Sequence, residues 1–149
     1  MSRNTITVDA SPEVVYGVLA DPPCYQIWVV GNKSVRGYDG SWPAPGSEFH
    51  HKVGFGLLAT KDKTVALEAD PSRRLVMVVR ALPFIRATVS FTLEPEGSGT
   101  RVTMEECPRG SPWEQLWNPV VEMLTGLRNA ETLRRLKRLA EVRAGLVHR

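Results

Sequence analysis

Two side chains in this 149-residue chain could move a proton, His51 and Glu106. Imidazole titrates near neutrality, and a carboxyl in apolar surroundings has its charged form disfavoured, so such a pair would suit general acid and base work. Parity places both on apolar faces. Successive strand residues point to opposite sides, so Phe49 and Val53 take His51 inward and send His50 outward. By the same count Val89, Phe91 and Leu93 point in, and Val102 and Met104 bring Glu106 with them. The plain alternative for each is a satisfied or rim-exposed polar residue near a strand end. His50 and His51 diverge on a regular strand and cannot share a metal ion. Cys24 and Cys107 stand far apart in no ligand pattern, so neither a metal site nor a disulfide framework is expected.

A third candidate comes from the last helix. From Val121 an apolar residue recurs at every third position through Leu124, Leu127, Ala130, Leu133, Leu136, Leu139 and Val142. A three-residue step falls about 60° short of a full turn each time, so the stripe winds around the rod and its two halves are expected to bury opposite sides. If the helix is straight, the face through Leu133, Leu136 and Ala140 continues back through Asn129, Gly126 and Glu122, and Asn129 looks into the interior. If it bends at Gly126, Val120, Leu124 and Leu127 turn inward and Asn129 moves to the edge. Gly126 costs about 1 kcal/mol of helix propensity against alanine, which points to something seated against it.

The elements that must hold these residues follow from local chemistry. Arg3 to Asp9 alternates as a strand, and Ser11-Pro12-Glu13 caps and opens a short helix. Asp21-Pro22-Pro23 ends it, and a second short helix runs through Tyr25, Gln26 and Trp28. Strands are expected at 33–38, 47–54, 61–69, 74–81, 85–94 and 100–107, separated by Pro- and Gly-bearing turns such as Asp70-Pro71-Ser72 and Glu96-Gly97-Ser98-Gly99. Asn118-Pro119 then starts a helix of about 27 residues, roughly 40 Å long. The string Gly54-Phe55-Gly56-Leu57-Leu58-Ala59 has dinucleotide-loop spacing but opens no helix, so it reads as a turn. The net charge of +3 and a basic excess interrupted by Glu131 and Glu141 read as a solvated helix face that includes Arg128, not a nucleic-acid surface. The opening MSRNTITVDAS has no hydrophobic run, so neither a signal peptide nor a membrane span is expected, and the cytoplasm is the default location.

One strand, two small helices, six strands and one long helix make an α+β domain, expected to be a single unit over 1–149. That order resembles the START-like (SRPBCC) superfamily. The resemblance rests on Ile6-Thr7-Val8-Asp9-Ala10-Ser11-Pro12-Glu13-Val14-Val15, Tyr25-Gln26-Ile27-Trp28, Asp70-Pro71-Ser72-Arg73-Arg74-Leu75, Gly99-Thr100-Arg101-Val102-Thr103 and the closing Leu-rich helix. Within it the chain is most similar to the polyketide cyclase/dehydrase group. The resemblance implies a helix-grip fold: a seven-stranded, bent antiparallel sheet wrapped around the long C-terminal helix, with an internal cavity. It also implies a pocket role for Trp28 and a polar contact from the last helix, matching Asn129-Ala130-Glu131-Thr132-Leu133. The other tryptophans, Trp42, Trp113 and Trp117, could ring a pocket mouth or pack the core.

The candidate catalytic residues are thus His51, Glu106 and Asn129. The candidate ligand contacts are Trp28, Phe49, Met77, Val89, Phe91, Met104, Glu122 and Gly126. Binding of a small hydrophobic ligand, polyketide-like, lipid or aromatic, comes first. A polyketide cyclase or dehydratase is the alternative, set back by the lack of an unmistakable inward arginine or tyrosine. A homodimer through the apolar stripe is the third. No cofactor and no metal are expected.

Overall fold

Ser11 accepts a hydrogen bond from the Val14 N–H at 3.3 Å, and Pro12 occupies the first turn, so the first helix starts where its cap and proline dictate. The computed structural model describes residues 2–55, 58–82, 85–109 and 119–145. It runs β1 (Ser2–Val8), α1 (Pro12–Leu19), a 3-10 turn (Pro22–Cys24), α2 (Tyr25–Trp28), β2 (Asn32–Tyr38) and β3 (Glu48–Phe55). Then come β4 (Leu58–Asp70), β5 (Arg74–Leu82), β6 (Ile85–Glu96), β7 (Gly99–Arg109) and the long helix α3 (Pro119–Arg143). Each expected strand and helix forms, with ends moved by a few residues. The remaining turn of the Gly54–Ala59 string, the Trp113 and Trp117 side chains and the Asn118 cap lie outside the described residues.

All seven strands join in one antiparallel sheet ordered β1-β7-β6-β5-β4-β3-β2. The first strand therefore pairs with the last, Ser2 opposite Glu106 and Val8 opposite Thr100. Register shifts interrupt β2–β3, β4–β5 and β5–β6, and an extra residue at such a point bends its strand. α3 packs against β1, α1 and α2, which completes a helix-grip arrangement. No helix among the described residues is long and apolar enough to cross a membrane.

The core forms where α1, α2 and the second half of α3 meet the sheet. Leu133, Leu136 and Ala140 are buried there with Val8, Val15, Val18, Leu19, Leu75 and Val102. Two donors meet at the end of α1: the Tyr25 hydroxyl and the Trp42 indole N–H both bond the Leu19 carbonyl, at 2.6 and 3.1 Å. Glu141 pins the far end of α3. It is buried, accepts from the Asp9 N–H at 2.9 Å, and is ion-paired to Lys137. Burial alone would raise its pKa, but Lys137 and the Asp9 N–H outweigh that and hold it below the ordinary carboxylate value.

The stripe on α3 behaves as a straight helix requires. Asn129 is fully buried, whereas Met123, Leu124 and Leu127 are 58–64% exposed. The expectation that both halves of the stripe are buried is therefore corrected: only the second half meets the core. What sits against Gly126 is β1. Asn4 Nδ2 donates to the Gly126 carbonyl at 3.0 Å, and a Cβ at 126 would stand 3.6 Å from Ser2 Oγ.

That spacing is ordinary contact, so Gly126→Ala should keep the fold and raise stability by up to about 1 kcal/mol in urea titrations, through helix propensity alone. Gly99 is the opposite case. A Cβ there would lie 2.3 Å from the Val8 carbonyl oxygen, and Gly99→Ala is expected to destabilise by about 2 kcal/mol or more by prising β1 from β7.

Candidate functional site

Between α2, the inner face of the sheet and α3 lies a pocket, partly open to the outside. A water molecule's centre can reach about 70 Å³ of it, space for several waters or one compact group. Its walls are built strand by strand from residues of one parity: Phe49 and His51 on β3, Thr64 on β4, Met77 and Val79 on β5, Val89 and Phe91 on β6, Met104 and Glu106 on β7. Register explains the grouping, because Met77 stands opposite Val89, and Val89 in turn opposite Glu106. Tyr25 and Trp28 of α2 close one side, and Arg128 and Thr132 of α3 another. The aromatic rings brace one another. Tyr25 and Phe49 have centroids 4.7 Å apart, Trp28 and Phe91 5.8 Å, and Phe49 and His51 5.4 Å, mostly edge-to-face or tilted.

His51 is 2% exposed. Its Nε2 is 2.9 Å from Thr64 Oγ1, while Nδ1 has no hydrogen-bond partner in the protein. Burial drives its pKa down to about 4, with the positive charge of Arg36 adding to this and the Lys63 backbone opposing it. The ring is therefore neutral at pH 7. His50, one residue away, points out and lies 3.3 Å from Glu48. Glu106 is a buried carboxylate held by Arg128, whose Nη2 donates to Oε1 at 2.9 Å. The same guanidinium reaches Asn129 Oδ1 at 3.3–3.4 Å, and Asn129 Nδ2 has no partner. Thr132 ties α3 to the loop beside α2 by accepting from the Val30 N–H at 3.2 Å.

Of the residues singled out by sequence, His51, Glu106, Trp28, Phe49, Met77, Val89, Phe91 and Met104 come together around this pocket. Three sit elsewhere. Asn129 is buried beside the pocket but behind Arg128, which takes the lining position. Gly126 faces Ser2 and Asn4 of β1, and Glu122, one turn earlier and partly exposed, is not among the lining residues. Both are displaced from the expected contact set because β1 passes under the first half of α3. Arg128, whose pattern predicts a solvated face, instead lines the pocket and supplies an inward arginine. Its side chain is long enough to lie along the helix and return its charge to Glu106. Thr64, Val79 and Thr132 also line the pocket, beyond the residues expected. Strand parity also marks Thr64, which faces Phe49 in register and shares its side of the sheet.

A family model described as polyketide cyclase / dehydrase and lipid transport matches residues 2–141. The chain belongs to this polyketide cyclase/dehydrase family. Its pocket lies within that matched span. Solved structures agree on the fold. A structural-genomics protein from Nitrosomonas europaea superposes with a TM-score of 0.72 at 19% identity, over 95% of this chain and 94% of that one. The Zhui aromatase/cyclase from a Streptomyces species gives 0.70 at 15% identity, over 95% and 93%. The di-domain aromatase/cyclase StfQ of the steffimycin pathway gives 0.72 at 16% identity, over 96% of this chain and 51% of that one. No curated protein sequence matches this polyketide cyclase/dehydrase family member.

The buried imidazole has a measurable signature. An unfolded chain binds its proton near pH 6.5 and the folded protein near 4, so the unfolded state holds more protons between those values. Folding free energy from His51 is whole above pH 6.5 and falls as pH drops toward 4, by up to about 3 kcal/mol. Stability measured by urea titration across that range should show this slope, and His51→Phe should remove it. The Glu141 contribution is separable, since it is lost only below the ordinary carboxylate pKa.

Proposed function

We propose that this protein binds a small, largely apolar molecule in the pocket between α2, the sheet and α3. The observation that carries the reading is the pocket itself, whose strands present Phe49, Met77, Val79, Val89, Phe91 and Met104 on one face around a few polar groups. Apolar walls with sparse, fixed polar groups are the usual make-up of small-molecule sites. The space within the walls, about 70 Å³ of it reachable by a water's centre, suits a compact group, and a larger ligand extends through the open side.

A cyclase or dehydratase reading stands second, supported by His51 and Glu106 lining one pocket and by the aromatase/cyclase names of two structural neighbours. The electrostatics rank it below binding. A histidine with a pKa of about 4 is deprotonated at pH 7 but is a weak base, and general-base efficiency is best when the pKa lies near the working pH. Glu106 already spends its charge on Arg128. Under the enzyme reading, Glu106→Gln would slow closure of a poly-β-ketone thioester by a hundredfold or more.

Mass spectrometry of small molecules released on denaturing the purified protein tests the binding reading. Wild type is expected to release a hydrophobic compound at close to one per chain. Val89→Phe, which fills the pocket between Met77 and Glu106, should release little while keeping its circular dichroism and unfolding midpoint. Equal yields from the two folded proteins would place the ligand outside this pocket.

A further inference from the structure

Orphaned polar atoms collect around the pocket. Buried side-chain polar atoms without a partner among the described residues include Tyr16 Oη, Asn32 Oδ1, His51 Nδ1 and Asn129 Nδ2. Two belong to pocket-lining residues, Asn32 and His51, and Asn129 lies directly behind Arg128, whereas the Trp28 indole N–H is directed at the Cys24 thiol. Buried polar atoms are rarely left unpaired, because each forfeits the hydrogen bonds it would make to water. Their gathering at one cavity is the mark of a site whose occupant carries its own hydrogen-bonding groups.

The chemistry of those atoms narrows the occupant. Asn32 Oδ1 can only accept. His51, neutral in the folded protein, offers at Nδ1 either a donor or an acceptor, according to which nitrogen carries its proton. Hydroxyl groups meet both needs, since each donates once and accepts twice. Charge is disfavoured at this end: His51 supplies none, and the cation at the other wall, Arg128, is already matched by Glu106 at 2.9 Å. The surrounding rings Tyr25, Trp28, Phe49 and Phe91 favour an aromatic body, and the reachable volume of about 70 Å³ favours a small one.

Building on the pocket reading above, we infer that the ligand is a compact, uncharged hydroxyarene, whose hydroxyl is bonded by His51 Nδ1 while its ring lies among the aromatic walls. The Thr64 contact at 2.9 Å fixes the imidazole for that task. His51 is then a specificity determinant: it selects a hydroxylated ring over a bare one of the same shape.

Calorimetric titration of the full chain at pH 7.5 with phenol, toluene and benzoate tests this, the three sharing one ring and differing in a hydroxyl, a methyl and a carboxylate. Phenol is expected to bind at least tenfold tighter than either of the others. In His51→Phe the preference of phenol over toluene should shrink to less than threefold while toluene binding is kept. Equal affinity for phenol and toluene in wild type overturns the inference but leaves the apolar-pocket reading standing. Tightest binding of benzoate also overturns it, and would assign recognition to Arg128. No binding by any of the three overturns the inference and, together with an empty release assay, the pocket reading too. If His51→Phe does not fold, the wild-type ranking decides alone.

Discussion

Only one half of α3 can close the sheet by apolar packing, and the rest of the structure depends on that constraint. Leu133, Leu136 and Ala140 seal the core against α1 and the sheet. One and two turns earlier the same face offers Asn129 and Gly126, which cannot fill a hydrophobic gap. The inner face of β3–β7 continues past the point where Leu133 stops, still lined with Phe49, Val89, Phe91 and Met104. A greasy sheet facing a polar stretch of helix leaves unfilled space. The pocket is a consequence of where the leucines end, and its polar members come from the sheet, His51, Thr64 and Glu106, as well as from the helix, Arg128 and Thr132.

The charges in that space are arranged to cancel. Glu106 is buried on β7, and its charge would be expensive without a partner. Arg128 supplies one from a half-exposed position, so the pair brings the pocket a dipole with no net charge. His51 adds none because burial keeps its ring neutral. The fixed hydrogen-bonding geometry therefore carries more discrimination than any long-range field, and the aromatic cluster of Tyr25, Trp28, Trp42 and Phe49 holds that geometry rigid.

Much of this was legible in the chain because strand parity is robust to small errors in boundaries. Moving the end of β3 by one residue leaves Phe49 and His51 on the same face, and likewise Met104 and Glu106. Helix phase served as well for Asn129, since a straight rod from Leu133 allows only one position there. Arg128 escaped because phase locates Cα atoms, while a long side chain can carry its charge some distance around the rod. Gly126 misled for a different reason. Its missing side chain was evidence of a close neighbour, yet the sequence of α3 alone cannot say whether that neighbour is a ligand or β1. Distinguishing them requires the pairing of β1 with β7, a contact between residues about a hundred positions apart. Thr64 and Thr132 carry no local signal, being small hydroxyls of a type common on any strand or helix.

The placement of β1 has a consequence for how the chain comes into being. Its seven residues pair with Thr100–Glu106, and its end is fastened by Glu141 of α3 through the Asp9 N–H. β1 thus finds its place only after the residues of β7 and α3 have been made. Contacts of such long sequence separation are slow to form, because loop-closure entropy is lost before they repay it. During that wait the inner face of the sheet is without its helix. Until residue 141 is in place the apolar inner face of the sheet lies uncovered, and the pocket takes its final shape only as the grip closes.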